Sequence, residues 1–568
     1  MQIKVSDYIV EFLIEKGITD VFGYPGGMVT HLMDSFRKKE NEIHAHVNYH
    51  EQASAFCACG YAQVSGLPGV AYATSGPGAT NLITGICNSY FDSIPALFIT
   101  GQVNTFESKE GLQVRQKGFQ ETDIVSMVRN VTKYCSYVAD ANDIQLELEK
   151  AWFWANEGRK GPVLLDIPMN IFRSIVETDM LSEYCLESED TSPIPWAQIL
   201  SAFQESRRPV ILLGAGNKND NIRHIIREFS ANSNIPMVTS MPAFDLLEKA
   251  DHNYFGFIGA YGDRTANFLI AKCDLLLAVG TRLDVRQIGA KKENFAPNAK
   301  LIRVDIDAGE LSNLIKSDEL QIKTNTDIFW NEFLERRHHI KNFSEWTSVC
   351  NTLKKNLQEL DVRTPNLLIR SFSRLIPEQA VITTDVGQNQ VWIAQSFENK
   401  SSQKVLFSGG HGAMGYSLPS AIGAYYAQRK PVISFNGDGG IQMNIQELQF
   451  IARESLPITV VVLNNCALGM IRHFQEMYFE NQYYQTVPSG GYNAPDFEKI
   501  AFSYNIPYCL VKNLDDISKI NNDFESPQLI EMRISEDTYV YPKLEFGKPN
   551  QDQEPLLNRE LYEYLMGL

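Results

Sequence analysis

Two polar clusters between residues 437 and 470 have residue types suited to binding a metal ion and a phosphate group. The first is Gly437-Asp438-Gly439, and twenty-four residues separate it from the second, which begins Asn464-Asn465. The Asp438 carboxylate and the Asn465 amide offer hard oxygens, which Mg²⁺ prefers when it holds a diphosphate. The glycines, with Gly440, allow the backbone to approach phosphate oxygens closely. The pair of clusters therefore predicts a magnesium and diphosphate site.

The elements around these clusters must bring them to one edge of a sheet. An apolar run at 431–435 ends on the first cluster, another at 458–463 ends on the second, and 444–454 has helical spacing between them. This pattern predicts a strand–helix–strand unit with both clusters at the carboxyl ends of parallel strands, where open α/β sheets bind ligands. A β-turn followed by an unrelated asparagine pair is the alternative reading.

Composition limits the class of protein and its partners. The chain has 568 residues, enough for three or four domains, and 51 basic against 68 acidic residues give a net charge of −17. This charge argues against a nucleic-acid partner, and an anionic cofactor must be held locally. Nine scattered cysteines suggest reduced thiols. Residues 1–16 read as an amphipathic helix, and no apolar run reaches membrane-spanning length. We expect a cytoplasmic protein without a membrane partner.

Repeated strand–turn–helix patterns predict an α/β fold with three doubly wound parallel-sheet domains. The expected limits are 1–175, 190–335 and 360–545, followed by a C-terminal tail at 546–568. An acidic stretch at 176–192 reads as the first linker, and a charged helical segment at 335–362 reads as the second. The first and third domains share a pattern, and the middle domain looks nucleotide-binding.

Several further motifs, taken with the two clusters, carry a resemblance over almost the whole chain. They are 21–27 (VFGYPGG), 50–52 (HEQ), 74–81 (TSGPGATN), 92–95 (DSIP), 100–103 (TGQV), 119–121 (FQE) and 464–470 (NNCALGM). The chain resembles the acetolactate synthase branch of thiamine diphosphate (ThDP)-dependent enzymes, catalytic subunit type. The first domain would then bind the coenzyme's pyrimidine, the middle domain FAD, and the third the diphosphate.

The resemblance implies a set of residues that hold the coenzyme and its metal. Asp438, Asn465 and the carbonyl of Ala467 would bind Mg²⁺. The residues expected to contact ThDP are Tyr24, Pro25, Gly26, Thr74, Pro77, Asn81, Val386, Gly387, Gln388, Asn389, Gly412, Ala413, Met414, Gly437, Asp438, Gly439, Gly440, Asn465, Ala467, Leu468, Gly469 and Met470. Asn389 replaces the family's usual histidine, and its neutral amide still offers a hydrogen bond.

The resemblance also implies catalytic roles. Glu51 would donate a proton to the coenzyme's aminopyrimidine, whose amine then becomes an imine able to deprotonate the thiazolium carbon. The alternative for Glu51 is a carboxylate that only stabilises a helix N-terminus. Met414 would bend the coenzyme so that the reacting groups meet. The Gly27 amide would stabilise an oxyanion, and Gln120 would bond the adduct hydroxyl. The reaction expected is decarboxylation of pyruvate and transfer of its two-carbon unit to a carbonyl acceptor.

The middle domain matches family positions around a structural, redox-inactive FAD. They are Phe119 from the first domain and Gly214, Ala215, Gly216, Thr239, Ser240, Met241, Gly259, Ala260, Tyr261, Gly280, Thr281, Arg282, Asp284, Arg286, Asp305 and Ile306. A plain Rossmann-like scaffold without a flavin is the alternative, because Gly214-Ala215-Gly216 alone is a weak signal.

The substrate side departs from the family. Met28, Phe119, Met470 and Phe474 are expected to line the substrate space. Phe474 replaces a tryptophan that helps to select the acceptor, and Met28 replaces a small residue. Met169 and Val285 replace a lysine and an aspartate. Because several of these positions lie near the family's substrate entrance, the acceptor is either a second 2-keto acid or a keto-sugar, free or nucleotide-linked. The ending at 546–557 resembles carboligases of carbohydrate pathways.

Other functions and the assembly complete the expectations. A pyruvate oxidase using ThDP and flavin is one alternative, and a degenerate scaffold or regulatory partner is another. In the family each active site takes its glutamate from one chain and its metal site from another. The resemblance thus implies a homodimer or a dimer of dimers with active sites at the interface, and leaves a regulatory subunit open.

Overall fold

Three parallel six-stranded sheets, flanked by helices, form the framework of the chain. The computed structural model describes residues 1–184 and 193–568. The strand orders are β3-β2-β4-β5-β7-β6 in the first domain, β11-β10-β9-β12-β13-β14 in the middle domain and β16-β15-β17-β18-β20-β19 in the third. Every pairing within these sheets is parallel. The predicted fold class is confirmed.

The first domain carries its sheet between helices that follow the strands in turn. Its elements are β1 Gln2–Lys4, α1 Val5–Glu15, β2 Asp20–Gly23, α2 Thr30–Lys38, β3 His44–Val47, α3 Glu51–Ser65, β4 Gly69–Ala73, α4 Pro77–Asn81, α5 Ile83–Phe91, β5 Ala96–Gln102, α6 Ile124–Val128, β6 Tyr134–Tyr137, α7 Ile144–Asn156, β7 Pro162–Pro168, α8 Met169–Arg173 and β8 Ile175–Glu177. The strands β1 and β8 form a separate antiparallel pair.

The acidic stretch predicted as a linker at 176–192 is only partly described. Its first two residues belong to β8, and the part at 185–192 lies outside the described residues. The middle domain then consists of α9 Trp196–Glu205, β9 Pro209–Leu213, α10 Asp220–Ala231, β10 Met237–Thr239, β11 Tyr254–Phe257, α11 Arg264–Lys272, β12 Leu275–Val279, α12 Val285–Ile288, β13 Lys300–Asp305, α13 Ala308–Ser312, β14 Leu320–Lys323 and α14 Thr326–Glu335.

The third domain repeats the arrangement of the first after a connecting helix. The elements are α15 Ser344–Leu357, α16 Thr364–Leu375, β15 Val381–Thr384, α17 Gln388–Ser396, β16 Lys404–Leu406, α18 Ser417–Gln428, β17 Val432–Gly437, α19 Glu447–Arg453, β18 Ile458–Asn464, α20 Gly469–Tyr478, α21 Phe497–Ser503, β19 Tyr508–Val511, β20 Gln528–Arg533 and, in the tail, α22 Arg559–Gly567.

The first and third domains share one hydrophobic core, and the helices α3 and α18 form its closest crossing. A Cβ atom added to Gly60 would lie 2.1 Å from the Ser420 carbonyl oxygen, and one on Gly423 would lie 1.8 Å from the Cys57 carbonyl oxygen. Only glycine allows two helix backbones to come so close. The crossing therefore fixes α3, and with it Glu51 at its first residue, against the third domain.

The C-terminal tail returns to the middle domain. Leu557 and Leu565 belong to that domain's hydrophobic core. The Arg264 guanidinium donates to the Gln553 and Pro555 carbonyls at 3.0 and 2.7 Å, and the Lys272 ammonium donates to the Met566 carbonyl at 2.6 Å. The tail is thus a packed part of the fold.

Candidate active site

The predicted metal ligands follow adjacent strands of the third sheet. Gly437 of β17 pairs with Leu463 of β18, so the residues immediately after these strands are neighbours. Asp438 and Asn465 are both buried. Burial raises the pKa of Asp438 to about 6, although the Tyr492 hydroxyl and the backbone amides of residues 439 and 467 favour its charged form. A divalent cation would offset the cost of burying this carboxylate.

The Asn465 side chain is oriented to offer its oxygen. Its Nδ2 donates to Gln388 Oε1 at 3.0 Å, which leaves Oδ1 available as a ligand. Within 1–184 and 193–568, no group of three or more His, Cys, Asp and Glu side chains is arranged to hold a metal ion. The donor set at Asp438 and Asn465, one carboxylate and one amide completed by a carbonyl and phosphate oxygens, is of the kind that suits Mg²⁺.

The loop expected to bind the diphosphate begins the helix α17. Gly387 has φ +117°, which favours glycine, and precedes the first helical residue Gln388. Backbone amides at such a helix start suit an anion. Asn389 donates to the Val386 carbonyl at 3.1 Å, while its buried Oδ1 has no partner within the described chain. Asn389, which replaces the family's histidine, therefore uses one of its N–H donors within its own loop.

Met414 lies on a turn between two glycines with positive φ, Gly412 at +67° and Gly415 at +83°. A Cβ atom added to Gly439 would lie 3.5 Å from Met414 Cε and 2.7 Å from Leu468 Cδ2. Met414 is 36% exposed, so its side chain projects from the domain beside the predicted diphosphate site. The turn that carries Met414 thus lies beside the glycine cluster at 437–440.

Glu51 lies in the first domain, as the first residue of α3. It is 8% exposed, and Asn81 Nδ2 donates to its Oε2 at 2.9 Å. His50 caps the helix, because its Nδ1 accepts from the Gln52 amide at 3.0 Å. A Cβ atom on Gly78 would lie 3.3 Å from Glu51 Oε1, which places that oxygen against the first turn of α4. Asn81, predicted to contact ThDP, also holds the carboxylate.

The turn at Gly26 and Gly27 lies next to the strand end that precedes Ser75. The Met28 amide donates to Thr74 Oγ1 at 3.2 Å, and a Cβ atom on Gly26 would lie 2.3 Å from Thr74 Cβ. A Cβ atom on Gly27 would meet nothing within 4 Å. The Gly27 backbone is therefore open to a ligand, and Tyr24 beside it is 41% exposed.

Gln120 reaches the same region from a long loop. It has φ +65°, and a Cβ atom on Gly76 would lie 2.9 Å from Gln120 Cβ. Glu121 shapes this loop by accepting from the backbone amides of residues 109, 117 and 118, and although burial raises its pKa, these amides bring it below the usual value. Phe119 is 81% exposed. The first domain thus gathers Glu51, Gly27 and Gln120.

Glu51 and the metal-site residues lie on different domains of the chain. Among the described residues no hydrogen bond or ion pair joins Glu51 to Asp438 or Asn465. On the acceptor side, Phe474 is 49% exposed and packs against Tyr478 in a tilted arrangement, with 4.6 Å between ring centroids. Met28 lies against Gly101. The chain therefore presents two partial sites, one able to hold a metal and diphosphate and one able to supply a proton.

A cavity of about 430 Å³ lies beside the strand ends of the middle domain. The predicted FAD residues that line it are Ala215, Gly216, Ser240, Met241, Ala260, Tyr261, Gly280, Thr281, Arg282, Asp284, Arg286, Asp305 and Ile306. Residues 91–95 and 158–160 of the first domain close its other side. A cavity with two arginines and a strand-end aspartate has the donors and acceptors that a dinucleotide requires.

Four residues predicted around FAD do not line this cavity. Phe119 is on the exposed loop of the first domain. Gly214, Thr239 and Gly259 lie behind the cavity wall, since a Cβ atom on Gly214 would lie 2.0 Å from the Gly280 carbonyl oxygen and Thr239 Oγ1 hydrogen-bonds Tyr254 at 3.2 Å. The motif pattern marks strand ends, but it does not distinguish the residues that face the ligand from those that pack behind.

Three residues of the site were not predicted. Asp385 is fully buried at the end of β15 and accepts from the amides of Val386, Gly415 and Tyr416 at 2.9 to 3.3 Å. Tyr492 donates to Asp438 Oδ2 at 2.9 Å. Arg159, which lines the cavity of the middle domain, pairs with Asp307 at 3.0 Å. Asp385 had a signal, a carboxylate closing an apolar strand, whereas the other two depend on contacts distant in sequence.

The chain matches three family profiles. Residues 3–127 match "Thiamine pyrophosphate enzyme, N-terminal TPP binding domain", 196–332 match the central domain, and 385–532 match the C-terminal TPP binding domain. These matches coincide with the three sheets. No helix among the described residues has the length and apolar character needed to cross a membrane.

Characterised relatives extend over the whole chain. An acetolactate synthase large subunit from Lactococcus lactis is 34% identical over 559 residues, covering 95% of this chain and 94% of the relative. The acetolactate synthase isozyme 2 large subunit of Escherichia coli is 32% identical, with coverages of 96% and 98%. A chloroplastic acetolactate synthase of Nicotiana tabacum is 33% identical, with coverages of 97% and 85%. The chain belongs to the thiamine pyrophosphate enzymes and is an acetolactate synthase-like, ThDP-dependent carboligase.

Proposed function

We propose that this enzyme decarboxylates pyruvate and transfers the two-carbon unit to a second 2-keto acid, as in acetolactate formation. One observation carries the proposal: a chain that matches an acetolactate synthase large subunit over 95% of its length holds a buried Asp438–Asn465 pair at strand ends and a buried Glu51 at a helix start. The relatives' name supplies the keto-acid acceptor. The domain limits at 1–175, 190–335 and 360–545, with a tail at 546–568, form part of the proposal.

Binding of the coenzyme falls to the third domain. Asp438, Asn465 and the Ala467 carbonyl hold Mg²⁺, which in turn binds the diphosphate. The start of α17 and the glycines around residue 438 provide backbone amides for the phosphate oxygens. When bound, ThDP supplies a carbon that adds to the keto group of pyruvate and accepts the electron pair left by carbon dioxide.

Proton transfer and substrate contact fall to the first domain. Glu51 holds a proton at a ring nitrogen of the coenzyme, and the Asn81 hydrogen bond keeps its carboxyl group in place. Met414 excludes water from the reacting side and sets the coenzyme's conformation. The open Gly27 amide faces the developing oxyanion, and Gln120 bonds a substrate hydroxyl.

The acceptor-side residues support a second candidate. Phe474 replaces the family's tryptophan and is half exposed, and Met28 and Met169 also depart from the family pattern. A smaller aromatic at this position leaves more room beside Met470. These features favour a bulkier acceptor, a keto-sugar, which would give a branched-chain sugar.

We further propose that FAD occupies the cavity of the middle domain without taking part in redox chemistry. Arg282 and Arg286 suit its diphosphate and ring, and Asp305 at the end of β13 suits a ribose hydroxyl. A pyruvate oxidase would instead reduce this flavin. Flavin absorbance in the presence of pyruvate separates the two: a spectrum that bleaches would support the oxidase.

The test of the carboligase uses the holoenzyme with pyruvate, ThDP and Mg²⁺, alone and with candidate keto-acid and keto-sugar acceptors. Mass spectrometry of the products separates acetolactate from a branched-chain sugar. Glu51→Gln removes the exchangeable acid, and we expect it to abolish decarboxylation while ThDP binding and the fold persist. Turnover that survives this substitution would refute the role of Glu51.

A further inference from the structure

The helix α19 of the third domain lies against the segment that leads to Glu51. Glu447, at the start of this helix, accepts from the Tyr49 amide at 2.8 Å through Oε1 and from Asn48 Nδ2 at 2.9 Å through Oε2. Both Glu447 and Asn48 are 0% exposed. One carboxylate thus fixes two consecutive residues that precede His50 and Glu51.

Two further contacts from the same part of the third domain flank this one. Asn444 Nδ2 donates to Gln52 Oε1 at 3.1 Å and to the Gly415 carbonyl at 2.9 Å. Arg453, at the end of α19, donates to the Tyr49 hydroxyl at 3.1 Å. The third domain therefore holds the chain on both sides of Glu51. Through its second hydrogen bond, Asn444 also connects Gln52 to the turn that carries Met414.

Glu447 contributes more to the placement of its two hydrogen-bond donors than to the stability of the fold. Burial raises the pKa of Glu447 to about 7, and the donors from residues 48 and 49 only partly compensate. A buried carboxylate of this kind adds little net stability compared with an apolar side chain of similar size. Its two oxygens, however, fix the positions of two separate donors, which an apolar side chain would not do.

We propose that Glu447 is a positioning residue for Glu51. Its carboxylate holds the residues that follow β3, so that the Glu51 carboxyl group can reach the coenzyme's pyrimidine. This inference rests on the proposed function, in which Glu51 exchanges a proton with bound ThDP. Glu447 itself touches neither the coenzyme nor the substrate in this role, and it acts through residues 48 and 49.

The test is the rate of hydrogen–deuterium exchange at the reactive thiazolium carbon of ThDP bound to the full-length holoenzyme. Glu447→Ala should slow exchange and kcat by roughly 100-fold, the cost of a misplacement of about 1 Å, with KM for pyruvate and the affinity for Mg²⁺ and ThDP unchanged. Glu447→Gln keeps an acceptor for the Tyr49 amide, and Asn48 has an unpaired Oδ1 that can accept from the new amide, so this variant should retain most of the rate. Gln449→Ala, an exposed change on the same helix, should alter nothing.

A double variant distinguishes positioning from a general structural effect. Adding Glu447→Ala to Glu51→Gln should cause no further loss of exchange, because the residue that Glu447 positions is already disabled. A further loss of the same factor would overturn the proposal, as would normal exchange in Glu447→Ala. If Glu51→Gln itself leaves exchange intact, the proposed function fails first.

A second pair of variants, which exchanges the carboxylate and the amide between residues 447 and 48, tests the proposal if Glu447→Ala does not fold. Asn48→Asp places two carboxylates together and should slow the exchange at the thiazolium carbon. Adding Glu447→Gln restores one donor and one acceptor between the two side chains, and the rate should recover. A folded double variant that remains as slow as Asn48→Asp alone would overturn the proposal.

Discussion

At the scale of single residues, several buried carboxylates in the first and third domains accept their hydrogen bonds from neutral donors. Asp166, Asp385 and Glu447 each have a pKa raised to about 7 by burial, and each accepts hydrogen bonds from backbone or neutral side chains. Asp385 holds the loop before α17 through the amide of residue 386, and the residues that follow Met414 through the amides of 415 and 416. These groups fix loops that must stay rigid when a charged coenzyme binds.

We predict that Asp385→Asn changes the pH dependence of stability. The folded-state pKa of Asp385, about 7, exceeds its ordinary value of 3.8, so between these values the folded chain keeps a proton that the unfolded chain has released. The free energy of unfolding of the wild type therefore falls as pH rises through this window. The asparagine variant lacks this loss.

Thermal unfolding of the coenzyme-free protein at pH 5 and pH 8 measures the effect. The difference between the Tm of Asp385→Asn and that of the wild type should become more positive at the higher pH. A Tm difference that is the same at both pH values would show that burial does not raise the pKa of Asp385.

At the scale of elements, local patterns placed most strands but not their long-range contacts. The apolar runs at 431–435 and 458–463 predicted two strands, which are present as β17 Val432–Gly437 and β18 Ile458–Asn464, because each run is closed by polar or turn residues. The helix predicted at 444–454 begins instead at Glu447, since Asn444 is used to contact Gln52 and Gly415. The return of the tail to the middle domain also had no local signal.

We predict that Gly423→Ala weakens the crossing of α3 and α18. The added methyl group would lie 1.8 Å from the Cys57 carbonyl oxygen, a backbone atom that cannot move alone. Overpacking of this kind costs about 1–3 kcal/mol or more, so Tm should fall by several degrees. Gly567→Ala, where an added Cβ atom meets nothing within 4 Å, is the matched control. An unchanged Tm in Gly423→Ala would mean that α3 and α18 can move apart without a loss of stability.

At the scale of the whole molecule, the motifs identified the chemistry on each domain but not how the two partial sites meet. Glu51 and Asp438 were predicted from their motifs, and each lies buried at the edge of its own sheet. Around them Tyr24, Met414 and Phe474 leave more than a third of their surface exposed in the single chain. Apolar surface of this extent beside functional groups fits a site completed by a second copy. The local patterns of one sequence do not predict how two chains are placed relative to each other, because this placement depends on contacts between the chains.

The sharing of active sites between chains, which the family resemblance implies, leads to a complementation prediction. Glu51→Gln and Asp438→Ala each disable every site when alone. In a mixed dimer with shared sites, one site combines the intact Glu51 of one chain with the intact Asp438 of the other, and the second site has neither. Random pairing makes about half of the dimers mixed, so co-expression should restore about a quarter of wild-type pyruvate decarboxylation.

If each site were formed within one chain, every site in the mixture would lack one of the two groups and activity would stay at the level of the single variants. Differently tagged chains allow the mixed dimers to be purified, and these should reach about half of wild-type activity because one site in two is complete. A mixture of the two variants prepared separately, without exchange of subunits, is the control. Activity at that control level in the purified mixed dimers would place Glu51 and Asp438 of one chain in the same site.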